Sequence, residues 1–368
     1  MADGSFRNKA NRATIADVAK AAGVSVSTVD RVLNGRLPVR TANATRVRMA
    51  AEEIGFHAAA LIRQRSAPGQ LALTLGFILQ RHSEQFYNAL GEALTAATVT
   101  SPDIRGRPLV EYLDDLRPAI VADRLQRMCE RADAVALVAA DHPHITRAIA
   151  EARERGKPVV ALLSDLSAPA RSGYVGLDWR KTGRTAGWAM TRIAGRIGRV
   201  AIIIGSPRYL ATELCEISFR SYLREHAPDL QLLEPLVNFE EPRLAYQGTL
   251  DLVQRTSDLV GIYMVGGGVE GVMDALREAG AAKRIALICH DLTENTREGL
   301  ISGVLDFVIH QPRTLFAAAT VQVLRSASVA GAAAAALQSN EPPAIEGTVN
   351  HSPTHTFIPM ELYTAENV

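Results

Sequence analysis

Cysteine is scarce in this sequence, and long apolar runs are missing from it. The three cysteines, Cys129, Cys215 and Cys289, stand far apart and are odd in number, which argues against a disulfide framework and a close-set metal site. No run of about 18 apolar residues occurs, and the opening MADGSFRNKANRAT lacks the apolar segment of a secretion signal. We therefore expect a cytoplasmic protein without a membrane span, a metal ion or a bound cofactor.

Charge is distributed unevenly along the 368 residues, although the net charge is only +1. Residues 1–66 hold 11 lysines and arginines against 5 acidic residues, whereas the remainder holds 29 against 34. A positive N-terminal segment is typical of proteins that bind an anionic polymer. At 47% hydrophobic residues, the chain is also long enough to form two or three domains with buried cores.

The first sixty residues follow the pattern of three short helices. Thr14 begins a predicted capping box, and the apolar residues that follow it share one helical face. Gly23 ends this helix, Ser25 can cap a second helix that ends at Asn34, and residues 47–54 belong to a third amphipathic segment. Two short helices around a glycine turn, closed by a third, predict a helix-turn-helix unit whose second helix enters the major groove of DNA.

The outward face of the second helix is polar. Hydroxyl and amide groups can bond to phosphates or base edges, and an arginine can form two hydrogen bonds with guanine. The candidates for DNA contact on this helix are Val26, Ser27, Thr28, Asp30, Arg31 and Asn34. A small solvated helical domain would have a similar face, but the excess of positive charge favours DNA.

The stretch TIADVAKAAGVSVSTVDRVLNG resembles the N-terminal headpiece of the lactose-repressor (LacI/GalR) family of bacterial transcription regulators. It matches the family pattern T-x-x-D-V-A-x-x-A-G-V-S-x-x-T-V-S-R-V-L-N at every fixed position except Asp30, where the family usually has serine. The resemblance implies phosphate contacts by Thr14, Ser25, Thr28 and Asn34, and base contacts by Val26, Ser27 and Arg31. An aspartate at position 30 is repelled by phosphates, but it can accept a hydrogen bond from cytosine N4 or orient a neighbouring arginine.

In the same family, a hinge helix follows the headpiece and wedges a leucine into the minor groove. The corresponding stretch here has Arg65 at the leucine position and two alanines in place of the family's proline and asparagine. Arg63 and Arg65 can instead contact phosphates or a narrow minor groove. We expect a headpiece at residues 1–57, a hinge and linker at 58–70, and a body at 71–368.

In the body, apolar strand-like runs such as KPVVALLS, GRVAIIIGS and RIALICHD alternate with helical patterns. This alternation predicts parallel α/β sheets with helices on both faces, which bind ligands at the carboxyl ends of their strands. The candidates at these ends are Arg81, Phe86, Tyr87, Asp141, Asp178, Trp179, Arg180, Gly267, Asp291 and Gln311. Such polar and aromatic groups suit a small polyhydroxylated ligand, although each residue alone is more simply explained as ordinary strand-end polarity.

The order of these segments is similar to that in LacI-family effector domains, which resemble type I periplasmic binding proteins. Asp178 falls at the family's acidic position, whereas Trp179 replaces the usual asparagine and Cys215 replaces a common arginine. The resemblance implies a two-lobed α/β body with an effector, a sugar or polyol, between the lobes. We expect crossovers near residues 176, 290 and 311. Lobe 1 then combines 71–176 with 290–310, and lobe 2 combines 177–289 with 311–345.

The resemblance therefore implies a transcription regulator, acting as a repressor, with an all-α headpiece and an effector-binding body. One headpiece reads few base pairs, so we expect a homodimer on a pseudo-palindromic operator in double-stranded DNA. An NAD-dependent oxidoreductase is the enzymatic alternative, because Gly266, Gly268, Gly271 and Asp291 fit a dinucleotide-binding fingerprint. A sugar-binding protein without a regulatory role is the other alternative for the body. The basic headpiece favours the regulator, and no catalytic residue is assigned.

Overall fold

Three short helices begin the described part of the chain. The computed structural model describes residues 13–34, 39, 41–56, 58, 59, 62, 71–81, 85–338 and 354–368. The helices are α1 (Ile15–Ala22), α2 (Val26–Asn34) and α3 (Thr41–Glu53), and their apolar faces share one core around Val18, Val29 and Val47. Burying each such side chain contributes about 1.5–3 kcal/mol, so a few of them hold this small unit together.

The ends of α1 form as the sequence predicts. The Thr14 hydroxyl accepts a hydrogen bond from the Asp17 amide, and the Asp17 carboxylate accepts one from the Thr14 amide, which completes the capping box. Gly23 ends the helix in the left-handed region at φ 62°, a conformation that glycine adopts without steric cost. The predicted helix-turn-helix geometry is therefore confirmed.

A parallel sheet forms the first lobe of the body. Its described strands are β1 (Leu71–Gln80), β2 (Ile104–Leu113), β3 (Ala134–Leu137), β4 (Val159–Leu162), β5 (Gly173–Gly176) and β12 (Thr354–Phe357), in the order β12-β5-β4-β3-β1-β2. The β12-β5, β5-β4, β4-β3 and β3-β1 pairs are all parallel. The helices between its strands are α4 (Gln85–Thr100), α5 (Pro118–Arg131) and α6 (Pro143–Glu154).

A second sheet forms the other lobe. Its described strands are β6 (Gly198–Ile204), β7 (Leu230–Leu232), β8 (Leu236–Val237), β9 (Leu259–Val265), β10 (Ala286–His290), β11 (Phe307–His310) and β13 (Glu361–Tyr363). The order is β13-β11-β10-β9-β6-β7, β8 also pairs with β6, and β13 alone is antiparallel among the pairs described. The helices are α7 (Trp179–Ile193), α8 (Leu210–His226), α9 (Pro242–Arg255), α10 (Val269–Glu278) and α11 (Glu294–Ile301).

Helices cover both faces of the second sheet, which explains the unbroken apolar runs in its strands. All seven residues of β9 are buried. Alternate residues of β6 belong to different cores: Ala201 and Ile203 face one cluster, and Val200 and Ile202 face the other. The predicted two-lobed parallel α/β body is confirmed.

The lobe assignment of two segments was wrong. Strand β11 pairs with β10 in the second sheet, so residues 290–310 extend lobe 2 rather than lobe 1. The long helix α12 (Arg313–Gln338) packs against β3, β4 and β5 of lobe 1. The chain thus passes between the lobes after β5, after β11 and after β12, with no crossover near 290. Strand order along the chain could not reveal this, because β10 and β11 follow the same apolar pattern as strands of either lobe.

By contacts, the chain forms two compact units. The first comprises the residues up to Leu73 with Thr98–Arg107, and the second comprises Thr74–Ala97 with Pro108–Val368, which includes most of both lobes. None of the described helices is long and apolar enough to cross a lipid bilayer. The expected boundaries at residues 57 and 70 stay predictions, because the stretch around them lies largely outside the described residues.

Candidate functional site

Hydroxyl groups cluster at the start of α2. The Ser25 hydroxyl accepts a hydrogen bond from the Thr28 amide at 3.2 Å, and it lies 3.0 Å from the Ser27 hydroxyl and 2.8 Å from that of Thr28. Val29 and Val32 are buried on the opposite side of the helix. The hydroxyls therefore face away from the core beside the amide groups of a helix N-terminus, a location that favours phosphate groups.

Asp30 and Asn34 form a pair on the outward face of α2. The Asn34 side-chain amide donates to the Asp30 carboxylate at 2.7 Å. Arg31 is exposed and forms no side-chain hydrogen bond or ion pair within the described residues, and Val26 is 52% exposed. The Asp30 carboxylate is thus directed to an amide one turn further along the helix, and its roles toward Arg31 and cytosine stay predictions.

The other predicted DNA contacts divide into two groups. The Thr14 hydroxyl donates to the Asp17 carboxylate at 2.7 Å, and hydrogen bonds from Thr14 hold the pKa of that carboxyl below its usual value. Thr14 therefore has a structural role as a helix cap, and its phosphate contact stays a prediction. Arg63 and Arg65 lie outside the described residues.

The carboxyl ends of the two sheets contribute to one cleft, and hydrogen bonds join the lobes across it. The Gln80 amide group donates to the Tyr209 hydroxyl at 2.8 Å, and the Asp141 amide donates to the Arg208 carbonyl at 3.0 Å. The Arg81 guanidinium donates to the Glu240 carbonyl at 3.4 Å. Residues at or beyond the carboxyl ends of β1 and β3 in one lobe thus meet loops after β6 and β8 in the other.

An open depression of about 650 Å³ lies at this junction. It is lined by Arg81, Asp114, Asp115, Leu116, Arg117, Pro118 and Arg208. Arg117 forms an ion pair with Asp115, which raises the pKa of the guanidinium and lowers that of the carboxyl. Charges of both signs line the depression, as suits a polar ligand more than an apolar one.

Three of the expected effector residues lie beyond the carboxyl ends of the strands of lobe 1. Phe86 and Tyr87 contact each other edge to face, with ring centroids 5.2 Å apart. The Tyr87 hydroxyl donates to the Gln80 side chain at 3.2 Å, which links it to the cross-lobe bond of Gln80. The Asp141 carboxylate accepts from the Ser167 amide at 3.2 Å. These positions agree with a ligand site, and the roles themselves stay predictions.

The group at the first crossover is tied to the scaffold. Asp178 caps α7 by accepting from the Lys181 amide at 3.3 Å, and Arg180 is exposed. The Trp179 indole N–H donates to the Leu163 carbonyl at 2.6 Å and to the Tyr174 hydroxyl at 2.8 Å. The single N–H group of the indole is already used in these bonds, so any contact between Trp179 and an effector would be through the ring.

Asp291 and Gln311 follow adjacent strands of lobe 2. Asp291 has a left-handed backbone at φ 65°, and its carboxylate lies 3.8 Å from the His310 ring. Gln311 is 4% exposed, and its side-chain oxygen has no hydrogen-bond partner in the described structure. A buried acceptor without a donor costs about 1–3 kcal/mol, so a donor supplied by a ligand would relieve that cost.

Known proteins match this chain in two regions. Residues 123–333, more than half of the chain, match the family model of the periplasmic binding protein domain. The chain belongs to the periplasmic binding protein domain family. Residues 14–58 match the model of bacterial regulatory proteins of the lacI family, so a LacI-type helix-turn-helix segment precedes the periplasmic binding protein domain.

Individual relatives match the chain over short stretches. The maltose regulon regulatory protein MalI of Escherichia coli is 44% identical over 91 residues, 24% of this chain and 25% of the relative. The transcriptional regulator GalR of Escherichia coli is 37% identical over 82 residues, 22% of this chain and 23% of the relative. The chain thus aligns with about a quarter of the length of these curated relatives.

Solved structures match the two-lobed body at low identity. An ABC transporter solute-binding protein from Agrobacterium vitis, bound with alpha-D-tagatopyranose, has a TM-score of 0.66 at 18% identity and covers 80% of this chain and 95% of its own. One from Actinobacillus succinogenes, with bound D-allose, has a TM-score of 0.67 at 17% identity and covers 80% of this chain and 98% of its own. At this identity the likeness shows the fold.

Two residues in the cleft of this periplasmic binding protein domain were not predicted from the sequence. Phe239 and Glu240 both have left-handed backbones, at φ 53° and 64°. The Phe239 side chain is 58% exposed, while the Glu240 carboxylate accepts from the Gly267 amide. Buried Asn238 fixes this turn by accepting from the Glu240 amide at 3.2 Å. The strand before the turn, β8, has two residues, too few for an apolar pattern to reveal a strand end.

The glycines of the dinucleotide-like fingerprint are explained by contacts within the protein. A Cβ at Gly266 or Gly267 would meet the Glu240 carboxylate. A Cβ at Gly271 would overlap the Pro242 carbonyl, so this glycine lets α10 approach α9. Because the Glu240 carboxylate occupies the place where the fingerprint would hold a phosphate, the motif carries no argument for a dinucleotide here.

Proposed function

We propose that this protein is a DNA-binding transcription regulator, a repressor, whose operator affinity responds to a small effector. The outward face of α2, within the LacI-type segment, carries the proposal. It presents the hydroxyls of Ser25, Ser27 and Thr28 beside exposed Arg31, while the opposite face is buried. Hydroxyls suit phosphates and a free guanidinium suits a guanine edge in the major groove.

Arg31 is the sharpest test of the DNA proposal. Operator sequences are first selected from a random duplex library with the full chain, and binding is then measured by fluorescence anisotropy on single-base-pair variants. Arg31→Ala should reduce discrimination at one base pair by about 5- to 150-fold, since a bidentate contact contributes about 1–3 kcal/mol. Arg46→Ala is the matched control, because it removes an exposed arginine from α3 instead. Unchanged base preference in Arg31→Ala would show that Arg31 does not read the operator.

For the body, we propose a sugar or polyol as effector, held at the carboxyl ends of both sheets. The depression beside Arg81 and Arg208, the exposed Phe239 ring and the unsatisfied oxygen of buried Gln311 support such a ligand. Hydroxyl groups can donate to that oxygen, and an aromatic ring can stack on a sugar face. Structures of the same fold carry alpha-D-tagatopyranose, D-fucose and D-allose, which are the first ligands to try.

A thermal-shift screen against sugars and polyols tests the effector proposal. A ligand at 100 times its Kd should stabilise the protein by about 2.7 kcal/mol. Gln311→Ala and Asp291→Ala should abolish the shift, whereas Gln254→Ala, which removes an exposed glutamine from α9, should keep it. A full shift in both cleft variants would move the site elsewhere.

We further propose that the protein binds DNA as a homodimer on a pseudo-palindromic operator. A three-helix headpiece presents one reading helix, and two copies are needed to span two half-sites about one helical turn apart. The effector can alter the affinity for DNA only if it binds two arrangements of the lobes with different affinities. Sedimentation of the complex gives the stoichiometry, and a single chain per operator would refute the dimer. If the chain binds a sugar but none of the selected duplexes, it would instead be a sugar-binding protein without a regulatory role.

A further inference from the structure

A second cavity lies at the opposite ends of the strands of lobe 2. It has a volume of about 380 Å³ and is formed by the segment before β6, the segment before β10 and Asp306 before β11. The cleft lies at the carboxyl ends of these parallel strands, so this cavity at their amino ends is separate from it. Its size lies within the range of small-molecule sites.

Three cationic side chains line this cavity. Arg196 comes from the turn between α7 and β6, and Lys283 and Arg284 come from the turn between α10 and β10. The Arg196 guanidinium donates to the Arg284 carbonyl at 2.9 Å and to the Leu259 carbonyl at 3.5 Å. These bonds use one terminal nitrogen, so the guanidinium is held in place with its remaining N–H groups available.

These three cations lack the carboxylate partners that several other arginines of lobe 2 have. Arg184, Arg220 and Arg277 each form an ion pair with a carboxylate, at 2.9, 3.0 and 2.9 Å. Within the described residues, no carboxylate lies within ion-pair distance of Arg196, Lys283 or Arg284. Three like charges around one cavity repel one another unless an anion joins them.

Asp306 is the acidic group that faces the same cavity. Its carboxylate accepts from the Leu287 amide at 2.8 Å, and burial raises its pKa. Its carboxylate is therefore bound to the backbone near the start of β10 rather than to the three cations. The charge that lines the cavity remains positive.

We propose that this cavity binds the phosphate group of a small ligand, independently of the effector cleft. Arg196 supplies fixed N–H donors, and Lys283 and Arg284 supply mobile positive charge. Charge-assisted hydrogen bonds of this kind are about twice as strong as neutral ones, and arginine matches the geometry of phosphate oxygens. The site lies between strand ends of one sheet, so it does not require the lobes to move.

Isothermal titration of the full chain with inorganic phosphate and with glycerol 3-phosphate tests this site, at fixed ionic strength in sodium chloride. The triple variant R196Q/K283Q/R284Q should bind at least 10-fold more weakly. The matched control R153Q/R224Q/R243Q removes three exposed arginines from α6, α8 and α9, which do not line the cavity, and should bind like the wild type. Tighter binding of glycerol 3-phosphate than of inorganic phosphate would identify a phosphorylated metabolite as the natural ligand, and the reverse order would identify free phosphate.

The double variant K283Q/R284Q keeps the backbone bonds of Arg196, so it tests the site even if the triple variant unfolds. It should lose affinity for phosphate while its melting temperature without phosphate stays unchanged. Equal phosphate affinity in wild type and double variant, or no heat of binding above that of chloride, would overturn the proposal. A loss confined to the affinity for DNA would also overturn it, because the cations would then serve a polyanion.

Discussion

The hydrogen bond between Asp30 and Asn34 makes a sharp prediction about DNA recognition. Asp30 stands where the LacI family usually has serine, and its carboxylate accepts from the Asn34 amide at 2.7 Å. That bond engages one carboxylate oxygen, and the other can accept from the exocyclic amino group of cytosine. We expect Asp30→Ser to change base preference at one base pair.

The magnitude follows from the competing effects on DNA affinity. A carboxylate that only faces a phosphate about 4 Å away in water costs about 1 kcal/mol, so its removal would tighten binding about fivefold to every sequence. A carboxylate that accepts from a base contributes about 1–3 kcal/mol of discrimination at that base pair alone. The two effects therefore differ in their dependence on sequence rather than in size.

The assay is fluorescence anisotropy with duplexes that carry every single substitution in one half-site. Asp30→Ser should lose 5- to 150-fold of discrimination at one C·G pair, and Asp30→Asn separates the loss of charge from the loss of an acceptor. Asn34→Ala should weaken discrimination at the same pair, and the double variant should show coupling between the two residues. Uniform tightening on every duplex would show that Asp30 only repels phosphate.

Three predictions concern stability and are measured by urea unfolding. Gly271→Ala should lower the free energy of unfolding by about 1–3 kcal/mol, because its Cβ would overlap a backbone carbonyl of α9. Gly331→Ala in α12 should not destabilise, because its Cβ would make only an ordinary van der Waals contact with the Gly156 carbonyl, at 3.9 Å. Burial lowers the pKa of His290 to about 4, below its usual 6.5, so stability is lost as pH falls from 6.5 to 4. Between pH 7 and pH 5 the wild type should lose about 2 kcal/mol more than His290→Gln, and equal losses would contradict the buried neutral ring. Trp179→Phe should cost about 1–3 kcal/mol through lost hydrogen bonds, one of them to the Leu163 carbonyl, and an unchanged value would show that these bonds add nothing net.

Local patterns were sufficient to predict the headpiece. The capping residues of α1, the left-handed Gly23 and the buried Val29 and Val32 are short-range consequences of sequence, and the structure reproduces them. The sequence showed that Asp30 is unusual, but it did not predict the hydrogen bond from Asn34 to Asp30. Choosing among neighbours on one helix face depends on side-chain rotamers, which a pattern does not specify.

The sequence by itself determined the helix-turn-helix unit, the parallel α/β class of the body and the strand ends at which polar residues collect. These follow from the spacing of apolar residues and from helix caps, which act over a few positions. The tertiary structure alone decided which lobe receives β11 and α12, and that Glu240 and Phe239 lie at the cleft. It also brought Arg196 beside Lys283 and Arg284, nearly ninety positions away in the chain, as sheet pairing and crossovers do. Such contacts depend on which strand edges meet, a choice that no local pattern encodes.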